Sequence, residues 1–392
     1  MSGIELSPLH GWLVELRRDF HRNPEVSYGE LRTSRRIAEV LREMGVEVQT
    51  GIGGTGILAR IESRRPGPVV AFRADMDALP LQELSDAPYR SAVPGVMHAC
   101  GHDGHMTIAL GVARTLMEEE WPARGRGKVL IVFQPAEEGG AGALAMLQSG
   151  AFDGEPIEAI FAGHMHPELP VGHIGIVPGV CNAASDSVRI RITGKGGHGA
   201  QPHRCVDPIV AGAALVTQLQ SLVSRSISPI DSAVLTIGQF VAGTASNIIP
   251  QEAFLNGTLR TLRPEVRDAM VERMGQMVKG LELTYGVKVD LEIIPGYPLL
   301  VNDSGVVEMA RHVASDYLGP DRVHIELPRM GAEDFAYFLQ RTPGVLLRLG
   351  CHNPEEGFRY ALHSPHFDMD ERALDVGVGL FVRLIKHRLG PA

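Results

Sequence analysis

Short apolar strands that stop at polar residues are the feature that most limits how this chain can fold. The clearest of them are predicted at residues 69–73, 129–133 and 158–162. Helical patterns separate these runs, and strands that alternate with helices indicate an α/β fold with a mixed, mostly parallel sheet. Such sheets bind ligands beyond the carboxyl ends of their strands. Four side chains follow the predicted strand ends and mark a candidate site there, namely Asp75, Glu137, Glu138 and His164.

A different pattern of predicted strands and helices begins at residue 187. Strands and helices are predicted at residues 188–193, 208–223, 233–240, 252–261, 264–285 and 288–294. The order strand–helix–strand–strand–helix–strand is typical of the ferredoxin-like α+β plan. The sequence therefore predicts a discontinuous catalytic domain, residues 1–186 and 298–392, with residues 187–297 inserted as a second domain. Further helices are predicted at residues 8–22, 30–44, 103–119 and 371–388.

Composition narrows the class of protein. A hydrophobic content of 44% with 21% charged residues is ordinary for a globular protein, and no apolar run reaches the roughly 20 residues of a membrane span. The formal charge of −9, with no clustered basic face, argues against nucleic acid as a partner. The four cysteines are scattered singly, which favours reduced thiols over a disulfide framework. With no secretion signal visible at the N-terminus, we expect a cytoplasmic protein.

A glycine-rich stretch, residues 51–56, matches the dinucleotide-binding fingerprint, but its context does not. That fingerprint requires a helix N-terminus after the glycines to hold the pyrophosphate. The residues that follow, 57–62, have the pattern of a strand. We interpret the stretch as the turn of a β-hairpin.

Residues 97–105 contain three histidines, a cysteine and an aspartate. Cys100 and His102 stand two apart at a predicted loop-to-helix junction, where both side chains can face one metal ion and the helix N-terminus favours a thiolate. The alternative is a buried cysteine beside surface histidines. Sulfur, nitrogen and oxygen ligands together would suit Zn, Co, Mn or Ni, without choosing among them.

Glu137 and Glu138 stand together after a buried strand. Two neighbouring acids in that position are costly unless a metal or protons compensate them. One can bind metal while the other handles protons on a water molecule, although a solvated pair of loop residues remains the alternative. His164 and His166 follow the next strand, and the spacing does not say which of them faces the site.

The chain resembles the M20 family of metallopeptidases, and within it the amidohydrolases that include hippurate hydrolase, N-acyl-amino-acid deacylases and auxin-conjugate hydrolases. The resemblance covers residues 17–384 and rests on motifs that occur in the family's order. They are Arg73-Ala-Asp75-Met-Asp77, His98-Ala-Cys100-Gly-His102-Asp103-Gly-His105, Gln134-Pro-Ala-Glu137-Glu138, Gly194-Lys-Gly-Gly-His198, Gly331-Ala-Glu333-Asp334 and Leu362-His363-Ser-Pro-His366.

The resemblance implies two divalent metal ions per subunit, with the ligands Cys100, His102, Glu138, His164 and His363. It also implies that Glu137 is the catalytic acid/base and that His198 of the inserted domain stabilises an oxyanion, in a partner subunit of a homodimer or higher homo-oligomer. Other branches carry a His-x-Asp where this chain has Arg73 and Asp75, which leaves Asp75 as a partner that orients a ligating histidine. Asn247 and Arg260 are weaker candidates for holding a substrate carboxylate, and an ion pair within the fold is an equal alternative for Arg260.

These observations predict a metal-dependent amidohydrolase that cleaves small N-acyl-L-amino acids, of the hippurate or N-acetyl type, into a carboxylic acid and a free amino acid. A dipeptidase or carboxypeptidase on the same scaffold is the alternative enzyme. A catalytically silent ligand-binding protein is the alternative from another class. The presence of Glu137 and of all five proposed ligands argues against that silent protein.

Overall fold

The computed structural model describes residue 4 and residues 6–391. The chain divides into two compact units. The first unit comprises the chain before Val180, the segment Val301–Leu327 and the chain after Glu333. The second comprises Val180–Leu300 and Pro328–Glu333. Each unit contains its own apolar core.

A mixed sheet of eight strands forms the centre of the first unit among the described residues. In chain order the strands are β1 (Glu47–Ile52), β2 (Gly56–Glu62), β3 (Val69–Asp75), β4 (Lys128–Gln134), β5 (Ile157–Pro170), β6 (Ile174–Ile176), β7 (Val323–Ile325) and β8 (Gly344–His352). Across the sheet they lie in the order β1-β2-β4-β3-β5-β8-β6-β7. The four central strands β4, β3, β5 and β8 run parallel, which confirms the predicted α/β fold with a mostly parallel central sheet.

The glycine-rich stretch is a hairpin. β1 and β2 pair antiparallel around it, with Thr50 opposite Ile57 and Ile52 opposite Gly56. Because the chain continues as a strand and not as a helix, the interpretation of this stretch as a hairpin turn is confirmed.

Helices cover the sheet of the first unit. They are α1 (His10–Arg22), α2 (Leu31–Glu43), α3 (His102–Glu118), α4 (Trp121–Arg124), α5 (Gly142–Gln148), α6 (Ser304–Leu318), α7 (Ala336–Leu339) and α8 (Arg372–Leu389). α3 is buried along most of its length and packs against α1, α8 and β3. No helix in the part of the chain that is described has both the length and the apolar character needed to cross a membrane.

Gly101 turns the chain into α3. Its φ of 85° lies in the left-handed region, and a Cβ at this position would lie 2.9 Å from side-chain atoms of Met165. Only glycine meets both requirements without strain. The residues on either side of it, Cys100 and His102, are thereby held at the start of a buried helix.

β5 is longer than the sequence predicts. The expected end of this strand at Ala162, before His164, is wrong, because the strand continues to Pro170. β5 pairs with β3 only as far as Ala162, opposite Arg73, whereas its pairing with β8 continues beyond that point. His164 therefore lies in the part of β5 that no longer pairs with β3.

The second unit has the predicted order of elements. Strands Ala184–Thr193, Ala233–Ala242, Glu252–Thr261 and Lys288–Pro295 alternate with helices Pro208–Ser221 and Pro264–Tyr285 in the order strand–helix–strand–strand–helix–strand. The strands form an antiparallel sheet in the order 233–242, 252–261, 184–193, 288–295. This topology is ferredoxin-like, with a core between the sheet and both helices.

Candidate metal centre

Six side chains proposed for metal binding or proton transfer lie in the first unit. They are Cys100 and His102 at the start of α3, Glu137 and Glu138 after β4, His164 in β5, and His363 between β8 and α8. The backbone N–H of His363 donates to the Ala99 carbonyl at 2.8 Å, which ties the last of these segments to the start of α3. His363 also has a positive φ of 62°, a conformation that costs a non-glycine residue energy and is typical of functional sites.

The Cys100 sulfur lies at the centre of these side chains. Its Sγ is 3.5 Å from His164 Nε2 and 3.3 Å from His363 Nε2, and His363 Nε2 is 3.3 Å from Glu138 Oε1. Ligand atoms lie within 4.8 Å of one another in three overlapping groups, Cys100 with His102 and His164, Cys100 with Glu138 and His363, and His102 with Glu137 and Glu138. Cys100, His102 and Glu138 each belong to two of these groups, so the six side chains would suffice to hold two neighbouring metal ions.

His102 presents one ring nitrogen to the cluster. Its Nδ1 lies 2.9 Å from the Asp77 carbonyl oxygen, so Nδ1 carries the proton and donates. Its Nε2 is buried and has no hydrogen-bond partner in the described structure. A buried polar atom without a partner is costly, and a metal ion would satisfy it.

The two glutamates are held by their backbones. The N–H groups of Glu137 and Glu138 donate to the two carboxylate oxygens of Asp77, at 3.0 and 3.1 Å. Glu137 is 6% exposed. Glu138 Oε1 is a second buried atom that makes no hydrogen bond of good geometry among the described residues, and its neighbour at 3.3 Å is the His363 ring of the same cluster. These two unsatisfied atoms, one on His102 and one on Glu138, fit a metal site.

His105 and Arg73 lie beside the cluster and pair with other residues of the fold. His105 Nδ1 lies 2.6 Å from Asp75 Oδ1, and its Nε2 accepts the Met165 N–H at 2.8 Å, so both ring nitrogens are used. Arg73 donates to Asp75 Oδ2 at 2.7 Å and to Asp334 Oδ1 at 3.1 Å. Asp75 Oδ2 also lies 3.7 Å from His102 Nε2. Arg73 therefore holds Asp75 in place from within the fold.

The cluster carries an excess of negative charge that a cation would neutralise. Burial lowers the pKa of His102, but the carboxylates of Asp75 and Asp77 outweigh it and raise that pKa to about 10. Burial, together with the charges of Glu138 and Glu137, raises the pKa of the Cys100 thiol well above its ordinary value. A divalent cation would compensate this excess of negative charge and allow both ligands to lose their protons. The residues present therefore fit a metal ion.

The structure distinguishes the two histidines of β5. His164 Nδ1 lies 2.8 Å from the Met165 carbonyl oxygen, which directs Nε2 toward Cys100. His166 instead lies beside Glu168 and Glu326, at 3.5 and 3.7 Å. His164 is thus the histidine of β5 that joins the cluster.

Sequence reasoning assigned no role to Asp77 or His105. Both occur in motifs quoted above, and both are buried, with exposures of 1% and 2%. Asp77 could have been identified from its position, because it is a second acid two residues after Asp75 at the same strand end. For His105, the signal was its position three residues after His102, on the same face of a helix.

The second unit holds the other three candidates. His198 lies in a short strand paired with Ile248–Ile249, and the Asn247 carbonyl accepts the Gly199 N–H at 2.8 Å, so the structure brings these segments together. The Ala200 N–H donates to His198 Nδ1 at 3.0 Å, which leaves the exposed Nε2 of a neutral ring as a donor. Arg260 lies on the larger sheet of this unit, opposite Ser185 and Val234.

Comparison with known proteins points to one family. The sequence model of peptidase family M20/M25/M40 matches residues 71–387. The N-acetylcysteine deacetylase of Bacillus subtilis is 40% identical over 376 residues, which cover 96% of this chain and 96% of that protein. The thermostable carboxypeptidase 2 of Saccharolobus solfataricus is 37% identical over 377 residues, covering 95% of this chain and 94% of that protein. The crystal structure of Bacillus subtilis YXEP protein, a dinuclear metal binding peptidase from the M20 family, superposes with a TM-score of 0.83 at 34% identity and covers 97% of this chain and 98% of that one.

Proposed function

The chain belongs to peptidase family M20/M25/M40, as its motifs predicted, and we propose that it hydrolyses the amide bond of small N-acyl-L-amino acids. The products are a carboxylic acid and a free amino acid, and the acyl group is of the acetyl or benzoyl type. The observation that carries this proposal is the cluster of Cys100 with five other side chains, in which buried atoms of His102 and Glu138 make no hydrogen bond. The family membership makes the chain a hydrolase, and the relatives named as deacetylases support the amide as its substrate.

The proposed cofactor is a pair of divalent metal ions per subunit, Zn, Mn, Co or Ni. Cys100, His102, Glu138, His164 and His363 would hold them, with Asp75 beside His102. Bound metal ions of this kind polarise a scissile carbonyl and lower the pKa of a water molecule toward neutrality. The thiolate, imidazole and carboxylate set matches the ligands of such metals.

Glu137 is the proposed general base and acid. Its carboxylate lies within 4.8 Å of the ligand atoms of His102 and Glu138, and it is almost fully buried. From there it takes a proton from water and delivers it to the leaving amine. A positioned acid/base of this kind contributes about 10² to 10⁴ in rate.

The second unit is proposed as a dimerisation and lid domain. Strand Ala233–Ala242 lies at an edge of its sheet and carries exposed Phe240 and Val241, which suit a contact with a second copy. In that homodimer or higher homo-oligomer, His198 of one subunit donates from Nε2 to the oxyanion that forms in the other. Asn247 and Arg260 hold the substrate carboxylate.

The second candidate is a carboxypeptidase or dipeptidase. It is favoured by the similarity to a protein named as a thermostable carboxypeptidase. That enzyme would require the same metals and the same Glu137, but it would also have to recognise a peptide. A silent binding protein remains the alternative outside enzymes, and for either function we propose a cytoplasmic protein with no nucleic-acid or membrane partner.

A panel of substrates tests the proposal. Metal-stripped protein is reloaded separately with Zn, Mn, Co and Ni, and release of free amine is measured from N-acetyl-, N-benzoyl- and longer-acyl amino acids and from unblocked dipeptides. Glu137→Gln serves as the matched inactive control, because it changes one functional atom group and keeps the size of the side chain. We expect turnover of acyl amino acids above that of dipeptides. Faster cleavage of dipeptides would favour the second candidate, and no cleavage with any metal would favour the binding protein.

A further inference from the structure

Tyr28 combines two features that folding stability does not favour. Its φ of 61° lies in the left-handed region, which costs a residue with a bulky side chain energy. The residue is also 44% exposed, so burial of the ring offsets little of that cost. Strained residues of this kind persist only where the surrounding contacts hold them, and they are concentrated at functional sites. The strain at Tyr28 is therefore explained by what its side chain contacts.

The Tyr28 side chain lies against the backbone of two glycines. A Cβ added to Gly140 would lie 2.8 Å from the Tyr28 ring, and a Cβ added to Gly54 would lie 3.2 Å from it. The Tyr28 hydroxyl donates to the Gly140 carbonyl oxygen at 2.7 Å. Both glycines thus leave room for the ring, which joins the loop after β4 to the tip of the hairpin between β1 and β2.

Gly140 belongs to residues 136–141 (the glutamate turn), which carry the proposed base and one proposed metal ligand. Three residues of this turn have a positive φ, Ala136 at 52°, Gly139 at 113° and Ala141 at 52°. Alanines in the left-handed region are strained and keep this conformation only where their surroundings hold them. The placement of both glutamates therefore depends on contacts from outside the turn.

The glycine-rich hairpin gives these contacts a rigid support. At its tip, a Cβ on Gly53 would lie 2.6 Å from the backbone nitrogen of Met146 in α5, so the tip packs closely on that helix. The Thr55 hydroxyl donates to Glu30 Oε2 at 2.7 Å, and Glu30 Oε1 accepts the Ala136 N–H at 2.9 Å. The hairpin thus holds the first residue of the glutamate turn through a buried glutamate, whereas the tyrosine holds the far end.

We propose that Tyr28 is a positioning residue for the glutamate turn, which fixes where Glu137 and Glu138 lie relative to the proposed metals. This inference rests on the proposed function, because it assigns Tyr28 an effect on residues proposed to move a proton and to bind metal. Tyr28 acts through the backbone, since its ring and hydroxyl fix Gly140, two residues after Glu138. It also gives the glycine-rich stretch a role, because a side chain on Gly54 would displace the ring.

Two variants of Tyr28 separate the ring from the hydroxyl. Tyr28→Phe keeps the ring between the glycines and removes one hydrogen bond. Tyr28→Asn removes the ring and keeps a residue type that tolerates the left-handed backbone. Tyr317→Ala is the matched control, because Tyr317 is also a tyrosine of the first unit whose side chain lies against a glycine, Gly379, but it belongs to α6.

Hydrogen exchange of residues 135–147 in the metal-free protein reports the order of the turn without metal or turnover. Cobalt affinity and the spectrum of the cobalt-loaded protein report the ligands, and kcat and KM are measured separately on the best acyl amino acid. For Tyr28→Asn we expect faster exchange, an altered spectrum, and cobalt affinity and kcat each lower by about 10- to 100-fold at nearly unchanged KM, because displaced ligands and catalytic groups have effects of this size. Tyr28→Phe should lose about two- to ten-fold, as for one hydrogen bond. Tyr317→Ala should keep wild-type exchange in this segment, cobalt affinity and kcat.

The inference is overturned if Tyr28→Asn keeps the wild-type exchange, cobalt affinity and kcat, or if Tyr317→Ala lowers them equally. A Tyr28→Phe protein as impaired as Tyr28→Asn would also overturn it, because the ring is proposed to hold Gly140 together with the hydroxyl. If Tyr28→Asn does not fold, Tyr28→Phe decides, and wild-type exchange, affinity and kcat in that variant would count against the inference. Failure of the wild-type protein to bind cobalt or cleave amides would instead overturn the proposed function, and the exchange measurement would still test the contact between Tyr28 and the turn.

Discussion

Removing the Cys100 thiolate should empty both proposed metal positions, whereas removing His164 or His363 should empty only one. Cys100 belongs to the group with His102 and His164 and also to the group with Glu138 and His363. Its sulfur lies 3.5 Å from His164 Nε2 and 3.3 Å from His363 Nε2. A serine hydroxyl at this position is a much poorer ligand than a thiolate. Cys100→Ser should therefore weaken metal binding at both positions, whereas His164→Ala or His363→Ala should weaken it at only one.

The size of the effect follows from the role of a direct ligand. Changing an outer partner of a ligand already costs about 10- to 100-fold in affinity, so we take ~100-fold as a lower bound for losing the thiolate itself. For two positions of equal affinity, each would be about nine-tenths filled in the wild-type protein at a free metal concentration ten times their Kd. A position weakened ~100-fold would be about one-tenth filled at the same concentration. The expected metal content is then roughly 1.8 per chain for wild type, 1.0 for His164→Ala and 0.2 for Cys100→Ser.

Metal content after equilibrium dialysis is the assay. Cys351→Ser is the matched control, because Cys351 is also a buried free cysteine of the first unit, 1% exposed, and it belongs to none of the ligand groups in the described structure. It should retain the wild-type metal content. If Cys100→Ser and His164→Ala bound equal amounts of metal, the sharing of Cys100 between two positions would be refuted.

Three further outcomes are expected. Glu137→Gln should keep its metal and lower turnover by ~10² or more, whereas Glu138→Gln should lose metal. Equal metal loss in both variants would contradict their separate roles. Burial raises the pKa of the Cys100 thiol when no metal is bound. After chelation, alkylation of Cys100 should therefore become faster as the pH rises, whereas metal-loaded protein should stay protected. Equal alkylation rates with and without chelator would make Cys100 an ordinary buried thiol. His198→Ala should lower turnover by ~10² to 10³ with metal retained, and mixing it with Glu137→Gln should restore activity; hybrid dimers without activity would exclude action across subunits.

Elements with strong local signals were predicted closely. The helix expected at residues 264–285 is observed as Pro264–Tyr285, since a proline suits its first position and Gly286, with a φ of 68°, ends it. The turn between β1 and β2 was recognised because a strand pattern follows its glycines. In both cases the information lies within a few residues of the element itself.

Features set by distant residues could not be predicted. The end of β5 depends on β8, which is nearly two hundred residues away and continues to pair beyond Ala162 after β3 has stopped. Asp77 gives no local sign that its oxygens accept from Glu137 and Glu138, 60 and 61 residues further along the chain. Sequence spacing therefore suggested the ligand types, but only tertiary pairing shows how they are held.

The wide spacing of the proposed ligands has a consequence for synthesis of the chain on the ribosome. Cys100 and His164 are 64 positions apart, but Cys100 and His363 are 263 apart. At about 5 to 20 residues per second, the ribosome needs roughly 10 to 40 s to add the residues between His164 and His363. During that interval a nascent chain has the groups for one metal position and lacks a ligand of the other. On the proposed ligand assignment, a newly made molecule would acquire its full pair of metals only after the C-terminal segment has folded onto the start of α3.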